Sequence, residues 1–326
     1  MSRGATICLA GISIAAIVLG CLVGQAAIPP AQALAALFGD GPLSVIVREI
    51  RLPRALAAWC AGAALGASGA ALQAMLRNPL ADPGVLGISS MAALGAVIAI
   101  YFNLAAAAFW MTPIAAIAAA AAATGILYFL GAGRLSATRL ILVGVGLSSL
   151  SGAMIALVMN LAPNPFVLSD LVNWLFGAVT NRSFADLALT APFMAAGLAA
   201  ALVAAPGLSA LSLGEETAAS LGADIIRTRT LTISGAALMT GGAVALAGAI
   251  GFVGIVAPHL ARPLVGHDPG RAIIPAALIG GAMLAVADLV IRVLPFDQEL
   301  KLGVAAALIG APVFIWIAAH TRRMSS

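Results

Sequence analysis

Charged residues make up only 9% of this 326-residue chain, against roughly 25% in a soluble domain. That deficit excludes an ordinary water-soluble protein. With 62% of residues hydrophobic, the solvent is lipid, and one helical bundle is expected rather than two soluble domains. Aromatic residues are equally sparse, at 5%, and the basic residues are fifteen Arg and one Lys, scattered singly without a basic run. The net charge of +4 therefore marks no nucleic-acid surface. Cys8, Cys21 and Cys60 are odd in number and irregular in spacing, which argues against a disulfide framework or a metal site. His259, His267 and His320 show no ligand spacing either. No GxxxxGK[ST] phosphate-binding sequence occurs, so any ATP hydrolysis belongs to another protein. Carboxylates are missing from mid-span positions except Asp288, near a helix end, which disfavours an ion-coupled secondary transporter. A membrane-embedded enzyme would need clustered carboxylates, a Ser/Lys pair or a His-rich centre, and none is present.

Long uncharged runs are what the chain does have. Ala55 to Leu76 and Pro83 to Gly133 carry no charge, and the phrase Arg77-Asn78-Pro79-Leu80-Ala81-Asp82-Pro83-Gly84 is a proline-broken hinge between them. A helix needs about 20 apolar residues to cross a bilayer. Gly4–Ile28 makes one span and Ala55–Leu76 a second; Pro83–Gly133 makes two, with a turn near Asn103 to Pro113. Leu140–Ser169 makes a fifth with residues to spare, Leu187–Gly207 a sixth, and Thr230–Ala261 one full and one short helix joined around Gly248 to Gly254. Ala272–Leu294 and Leu302–His320 complete ten. The opening run stays apolar longer than a signal-peptide core, so it is expected to be retained as the first helix. The expectation is a polytopic all-α membrane protein, one domain over residues 1–326, with both termini on one side.

Counting basic residues with the N-terminus inside places ten in inner segments and six outside. The positive-inside rule then puts both termini in the cytoplasm of a multi-pass cell (inner) membrane protein. Three outer arginines crowd into Arg48, Arg51 and Arg54, breaking that rule and asking for a reason. Interfacial snorkelling is one; recognition of acidic groups through the bidentate arginine fork is another. Asp288 and Arg292, four apart on one helix face, can neutralise each other. Gly66 to Gly69, Arg77 and Asp82-Pro83-Gly84 are echoed by Gly248 to Gly251, Arg262 and Asp268-Pro269-Gly270, a weak internal repeat of the kind transporters carry.

The longest inner polar insertion is Leu208 to Arg229. It reads as either a plain connecting loop or a short docking helix. In the helical reading Ser212 caps the start, Glu215 closes a capping box, Glu215 and Glu216 suit the dipole, and Gly222 stops the helix after about two and a half turns. Gly144, Gly146, Ser148, Ser149, Ser151 and Gly152 make a small-residue pattern that suits either pore lining or ordinary helix packing.

Five segments together resemble one family. They are Arg51-Leu52-Pro53-Arg54 leading through Gly62 to Gly69 and Gln73; Asn78 to Gly84; Leu213-Gly214 through Ala218 to Leu221-Gly222; Gly251 to Arg262; and Gly310 to Trp316. In order and spacing the chain resembles the permease subunits of ABC importers for iron–siderophore complexes, haem and cobalamin, the FecCD type. Two departures are Lys301 in place of the usual Pro after Glu299-Leu300, and Met91 in place of Gly after Ser89-Ser90. The resemblance implies the type II ABC importer permease architecture with about ten helices. It implies a coupling segment at 208–229, carried by Ser212, Gly214, Glu215, Glu216, Ala218, Leu221 and Gly222, seated on a cytoplasmic ABC ATPase dimer. It further implies docking of an extracytoplasmic substrate-binding protein at Arg48, Arg51, Arg54 and Arg292, and a cytoplasmic gate at Leu80, Ser136, Ala137 and Thr138. A second permease copy or a sister permease completes the pathway. No cofactor is expected on this chain; ATP and Mg belong to the partner ATPase. The cargo expected is an iron–siderophore, with haem or cobalamin as alternatives.

Overall fold

The computed structural model describes residues 3–24, 26, 28–131, 137–294 and 299–321. Fourteen α-helices form the described chain: α1 (Arg3–Leu22), α2 (Pro30–Phe38), α3 (Pro42–Val45), α4 (Leu52–Leu76), α5 (Ile88–Tyr101), α6 (Met111–Gly131), α7 (Ala137–Asn160), α8 (Pro165–Leu175), α9 (Phe184–Leu211), α10 (Glu215–Ser220), α11 (Ile225–Ala247), α12 (Val253–Ala261), α13 (Ile273–Val293) and α14 (Leu302–Thr321). A π-helical turn over Ile46–Arg51 joins α3 to α4 as one continuous rod from Pro42 to Leu76. Among the described residues seven helices are long and apolar enough to span a bilayer, and three shorter apolar ones, Ile88–Tyr101, Val253–Val265 and Leu302–Ile315, bring the number to the ten expected.

Elements beyond those ten arise from local signals. Pro29 and Pro30 start α2, with proline in the first turn where its missing N–H costs nothing. Asn164 starts α8 by accepting the N–H groups of Phe166 and Val167, each at 3.0 Å, with Pro165 behind it. This splits the residues left over after α7. Ser183 and Asp186 form a reciprocal capping box at the start of α9.

In lipid the helices are held by close packing, and small residues decide where backbones can meet. The most apolar stretches of α4 and α11 are 78% buried, whereas those of α7 and α1 are 17% and 22% buried, so α4 and α11 are the core and α7 and α1 the periphery. Gly62, Gly66 and Gly69 on α4 let its backbone touch its neighbours. A Cβ at Gly62 would lie 2.2 Å from the Gly280 carbonyl of α13, one at Gly66 2.2 Å from that of Ala276, and one at Gly69 1.9 Å from that of Gly254 on α12. Ser68 and Thr240 share a buried 3.1 Å hydrogen bond between α4 and α11. The pairing order makes α4 and α13 antiparallel. The end of α4, the start of α13 and the end of α9 therefore lie at one end of the bundle, together with α10.

α12 starts inside the bundle. Gly248 (φ 76°) ends α11, and Phe252 in a left-handed conformation (φ 68°) turns the chain back into a nine-residue helix. A Gly69→Ala substitution should cost about 1–3 kcal/mol by overpacking, because the Gly254 backbone cannot yield cheaply. Gly125→Ala, with nothing within 4 Å, should be silent. Thermal unfolding in detergent with both variants checks this.

Candidate functional site

At the α10 end, α9 runs to Leu211 and Ser212 finishes it, its hydroxyl donating to the Ser209 carbonyl at 2.6 Å. Gly214 then takes φ 105°, which favours glycine strongly, and starts α10 without a side-chain cap. Glu215 is ion-paired with Arg229 on α11. The far end closes as expected around Gly222 (φ 84°): its N–H donates to the Ala219 carbonyl at 2.9 Å and that of Ala223 to the Ala218 carbonyl at 3.0 Å. Ala218 is fully buried under the helix, while Leu213 (61%) and Leu221 (66%) stand exposed at its two ends beside exposed Glu216. The result is a small, double-anchored knob with two apolar prongs. Asp224 caps α11 directly after it, accepting the Arg227 N–H at 2.9 Å.

At the opposite end the arginines turn inward. Arg51 is 4% exposed and donates to the Cys21, Leu22 and Ala26 carbonyls at 3.2, 2.9 and 2.7 Å. Arg292 donates to the Gly20 carbonyl at 2.7 Å and pairs with Asp288. Between them these two arginines satisfy the terminal carbonyls of α1 and face the negative end of its dipole. Arg54 pairs with Asp288 at 2.7 Å and with Glu299. Arg48 treats α2 in the same way, donating to the Leu37 and Gly39 carbonyls at 2.9 Å each, with Asp40 3.8 Å away. A cavity of about 290 Å³, lined by Gly24, Ala26, Ile46, Ile50, Arg51, Arg54 and Arg292, opens among them.

The hinge after α4 is a string of hydrogen-bonded turns. Arg77 (φ 50°) ends the helix, and Asn78 Oδ1 accepts the Leu80 N–H at 2.9 Å. Asp82 Oδ1 accepts the Gly84 N–H at 2.6 Å, and Gly87 (φ 75°) opens α5. Leu80 is 41% exposed on this loop. Thr138 is exposed and Ala137 half-buried at the start of α7, at the same end of the bundle; Ser136 lies outside the described residues.

The sequence pattern of the FecCD transport family matches residues 12–320. The chain belongs to the FecCD transport family. Its relatives include the probable siderophore transport system permease YfhA of Bacillus subtilis, 35% identical over 96% of this chain and 94% of that protein. The vitamin B12 import permease BtuC of Vibrio cholerae is 39% identical over 95% of this chain and 92% of its own length. A solved structure classed as a metal-chelate type ABC transporter in an inward-facing conformation superposes with TM-score 0.85 at 28% identity, covering 97% of this chain and 99% of that one. As an ABC permease, this FecCD chain is a multi-pass membrane transport component and not an enzyme.

Three expectations need correction against the geometry of this FecCD protein. Ser212 does not cap α10, because it is still closing α9, and Gly214 starts the new helix two residues later than a capping box at Ser212 requires. The helix is accordingly six residues long, about one and two-thirds turns rather than two and a half. Arg51, Arg54 and Arg292 do not hold their forks outward: helix-end carbonyls and carboxylates inside the chain engage them, because such groups find no water in a bilayer. The neutralising Asp288–Arg292 pair is present, enlarged by Arg54 and Glu299. Removing its centre should be severe. Asp288→Ala leaves Arg54 and Arg292 buried without their shared carboxylate and should cost about 3–5 kcal/mol, read as lost monodisperse yield, whereas Asp40→Ala at an exposed pair should leave yield unchanged.

Proposed function

We propose that this chain is the permease subunit of an ATP-driven importer that moves an iron–siderophore across the cytoplasmic membrane. In this reading the α10 end is cytoplasmic, both termini lie on that side, and the knob between α9 and α11 seats in a groove of a separate ATPase. The observation that carries the reading is the form of α10: a helix anchored on both sides through buried Ala218 and the Glu215–Arg229 pair, yet presenting Leu213 and Leu221 to the outside. Exposed large apolar side chains on an otherwise polar connection mark a contact surface for a protein. Glu216, Gly214 and Gly222 shape that surface, and Leu80 with Ala137 and Thr138 forms the inner mouth at the same end. The cargo assignment rests on the similarity to YfhA. A cobalamin importer is the second reading, favoured by the equal similarity to BtuC. A second copy or a sister permease would complete the pathway along α7, whose large side chains Leu142, Val145, Leu150 and Leu157 are exposed.

The deciding experiment is uptake into proteoliposomes holding the permease, its ATPase and its binding protein, with a radiolabelled ferric siderophore in one arm and labelled cobalamin in the other. Accumulation of the iron chelate alone supports the first reading; cobalamin alone overturns it in favour of the second. Leu221→Asp should abolish ATPase co-purification and uptake while leaving expression intact.

At the outer end three arginines line the cavity, and the two carboxylates paired with them, Asp288 and Glu299, leave a positive surplus that suits an acidic residue of a binding protein. Arg48 is the one of the four whose side chain is substantially exposed, at 36%. Arg48→Glu should weaken capture of the binding protein by up to about fivefold, the scale of an exposed pair worth at most ~1 kcal/mol, and added salt should mimic it. Unchanged affinity would leave Arg48 as a cap for α2 alone.

A further inference from the structure

One line of side-chain and backbone hydrogen bonds crosses the α10 end of the bundle. It begins where α9 stops, with the Ser212 hydroxyl on the Ser209 carbonyl at 2.6 Å. The Ser209 hydroxyl donates in turn to Asp268 Oδ1 at 2.6 Å, and that oxygen also accepts the Gly270 N–H at 3.1 Å. A Cβ at Gly270 would lie 2.3 Å from the Ala205 carbonyl, so the Asp268-Pro269-Gly270 loop rests directly on α9. The same loop is tied to the end of α12 by the His267 N–H on the Arg262 carbonyl at 3.0 Å. Arg262 then reaches back to Gln73 Oε1 at 2.8 Å, and Gln73 Nε2 donates to the Gly254 carbonyl at 3.2 Å. From Gln73 the Asn78 N–H closes the end of α4 at 3.2 Å, and the hinge turns follow. The Ser148 hydroxyl of α7 finally holds the Gly84 carbonyl at 2.8 Å. A Cβ at Gly144 would lie 2.3 Å from the Val85 carbonyl, so the hinge is seated on α7 backbone to backbone.

The two Asp-Pro-Gly loops are thus built alike. Each opens with an aspartate accepting the N–H of the glycine two residues on, each touches a neighbouring helix through a serine, and each leans on that helix through close glycine contacts. One sits on α9, which carries α10; the other sits on α7 and carries Leu80. Arg262 and Gln73 supply a side-chain joint between them. Arg262 has no carboxylate partner among the described residues, only the neutral amide of a 2%-exposed Gln73. A half-buried cation bonded to an amide is a poor choice for stability alone. It does suit a joint that must hold two segments in one register and release them in another.

We infer that the Arg262–Gln73 hydrogen bond transmits displacement of the α10 segment to the Leu80 loop, with Ser209–Asp268 and Ser148–Gly84 as its two end fastenings. These are positioning residues, and the inference rests on the permease reading above. A transmission claim needs a coupled element that both ends bias, so the test reads the two ends separately. The permease is assembled with its ATPase in lipid nanodiscs, with Cys8, Cys21 and Cys60 replaced and a single cysteine placed at Leu80. Maleimide labelling rates are compared without nucleotide and with ATP held unhydrolysed. Arg262→Gln and Gln73→Leu should keep ATPase co-purification but abolish the difference in labelling between the two states. Gln73→Glu, which keeps an acceptor for Arg262, should preserve it, as should Arg227→Gln, which only removes a positive charge near the same end. Should Arg262→Gln fail to assemble, Ser209→Ala breaks the line at its other joint and carries the same expectation. A nucleotide-dependent difference that survives in Gln73→Leu overturns the joint while leaving the permease reading intact. No difference in the unsubstituted background overturns the gate assignment of the Leu80 loop and the joint with it.

Discussion

Backbone contact between α4 and its neighbours is the constraint on which the rest of the structure depends. Three glycines spaced along one helix bring the carbonyls of Gly280, Ala276 and Gly254 to where a Cβ would otherwise be. Lipid offers little hydrophobic driving force between helices, so such contacts and the dispersion they allow provide much of the cohesion. They also fix depth. Gly69 against Gly254 sets how far into the bundle α12 begins, and therefore where Arg262 meets the end of α4. A larger residue at any of these positions would part helices whose mutual height defines both ends of the molecule.

Electrostatics at the opposite end follows from the same absence of water. α1 stops at Leu22 with carbonyls that have no helical partner, and the chain answers with arginines from α13 and from the π-helical turn before α4. The extra residue per turn there belongs to a segment whose side chains must reach sideways to another helix rather than along their own. The crowding of arginines at this end is thereby accounted for in large part as helix termination, and a small cavity is left among them.

Span number and order were legible because length and apolarity alone decide them, and the short α12 was already visible in a run too long for one helix. The small extras were not. α2 lies inside an uncharged run and α8 straddles the end of another at Asp170, and only Pro29–Pro30 and Asn164–Pro165 mark their starts. For the segment around α10 the C-terminal signal was unambiguous, since Gly222 lies where a left-handed residue closes a helix. The N-terminal signal was misleading: Ser212 and Glu215 have capping-box spacing, but Gly214 between them adopts a backbone that only starts a helix after itself. Arginine position was readable from sequence, yet direction was not, because the partners of Arg51 and Arg292 lie on α1, some thirty and some two hundred and seventy residues away. The Asp-Pro-Gly echo was visible as a pattern; its meaning came from Ser148 and Ser209, which no spacing rule connects to it.

Pro206 has a mechanical consequence for the helix that carries the knob. It lies inside α9 five residues before the end, and having no N–H it leaves the preceding turn without one of its bonds. The last turn of α9 is instead pressed on α11, where a Cβ at Gly207 would strike the Thr228 hydroxyl at 2.1 Å. The Glu215–Arg229 pair also lands on α11. The compliant helix is therefore the one that supplies α10, and the stiff one is the helix it leans against. α11 runs buried through the bundle to Gly248, where a Cβ would meet the Trp174 carbonyl of α8 at 2.6 Å. The knob is therefore propped on a stiff support, whose far end bears on the loop structure at the other face.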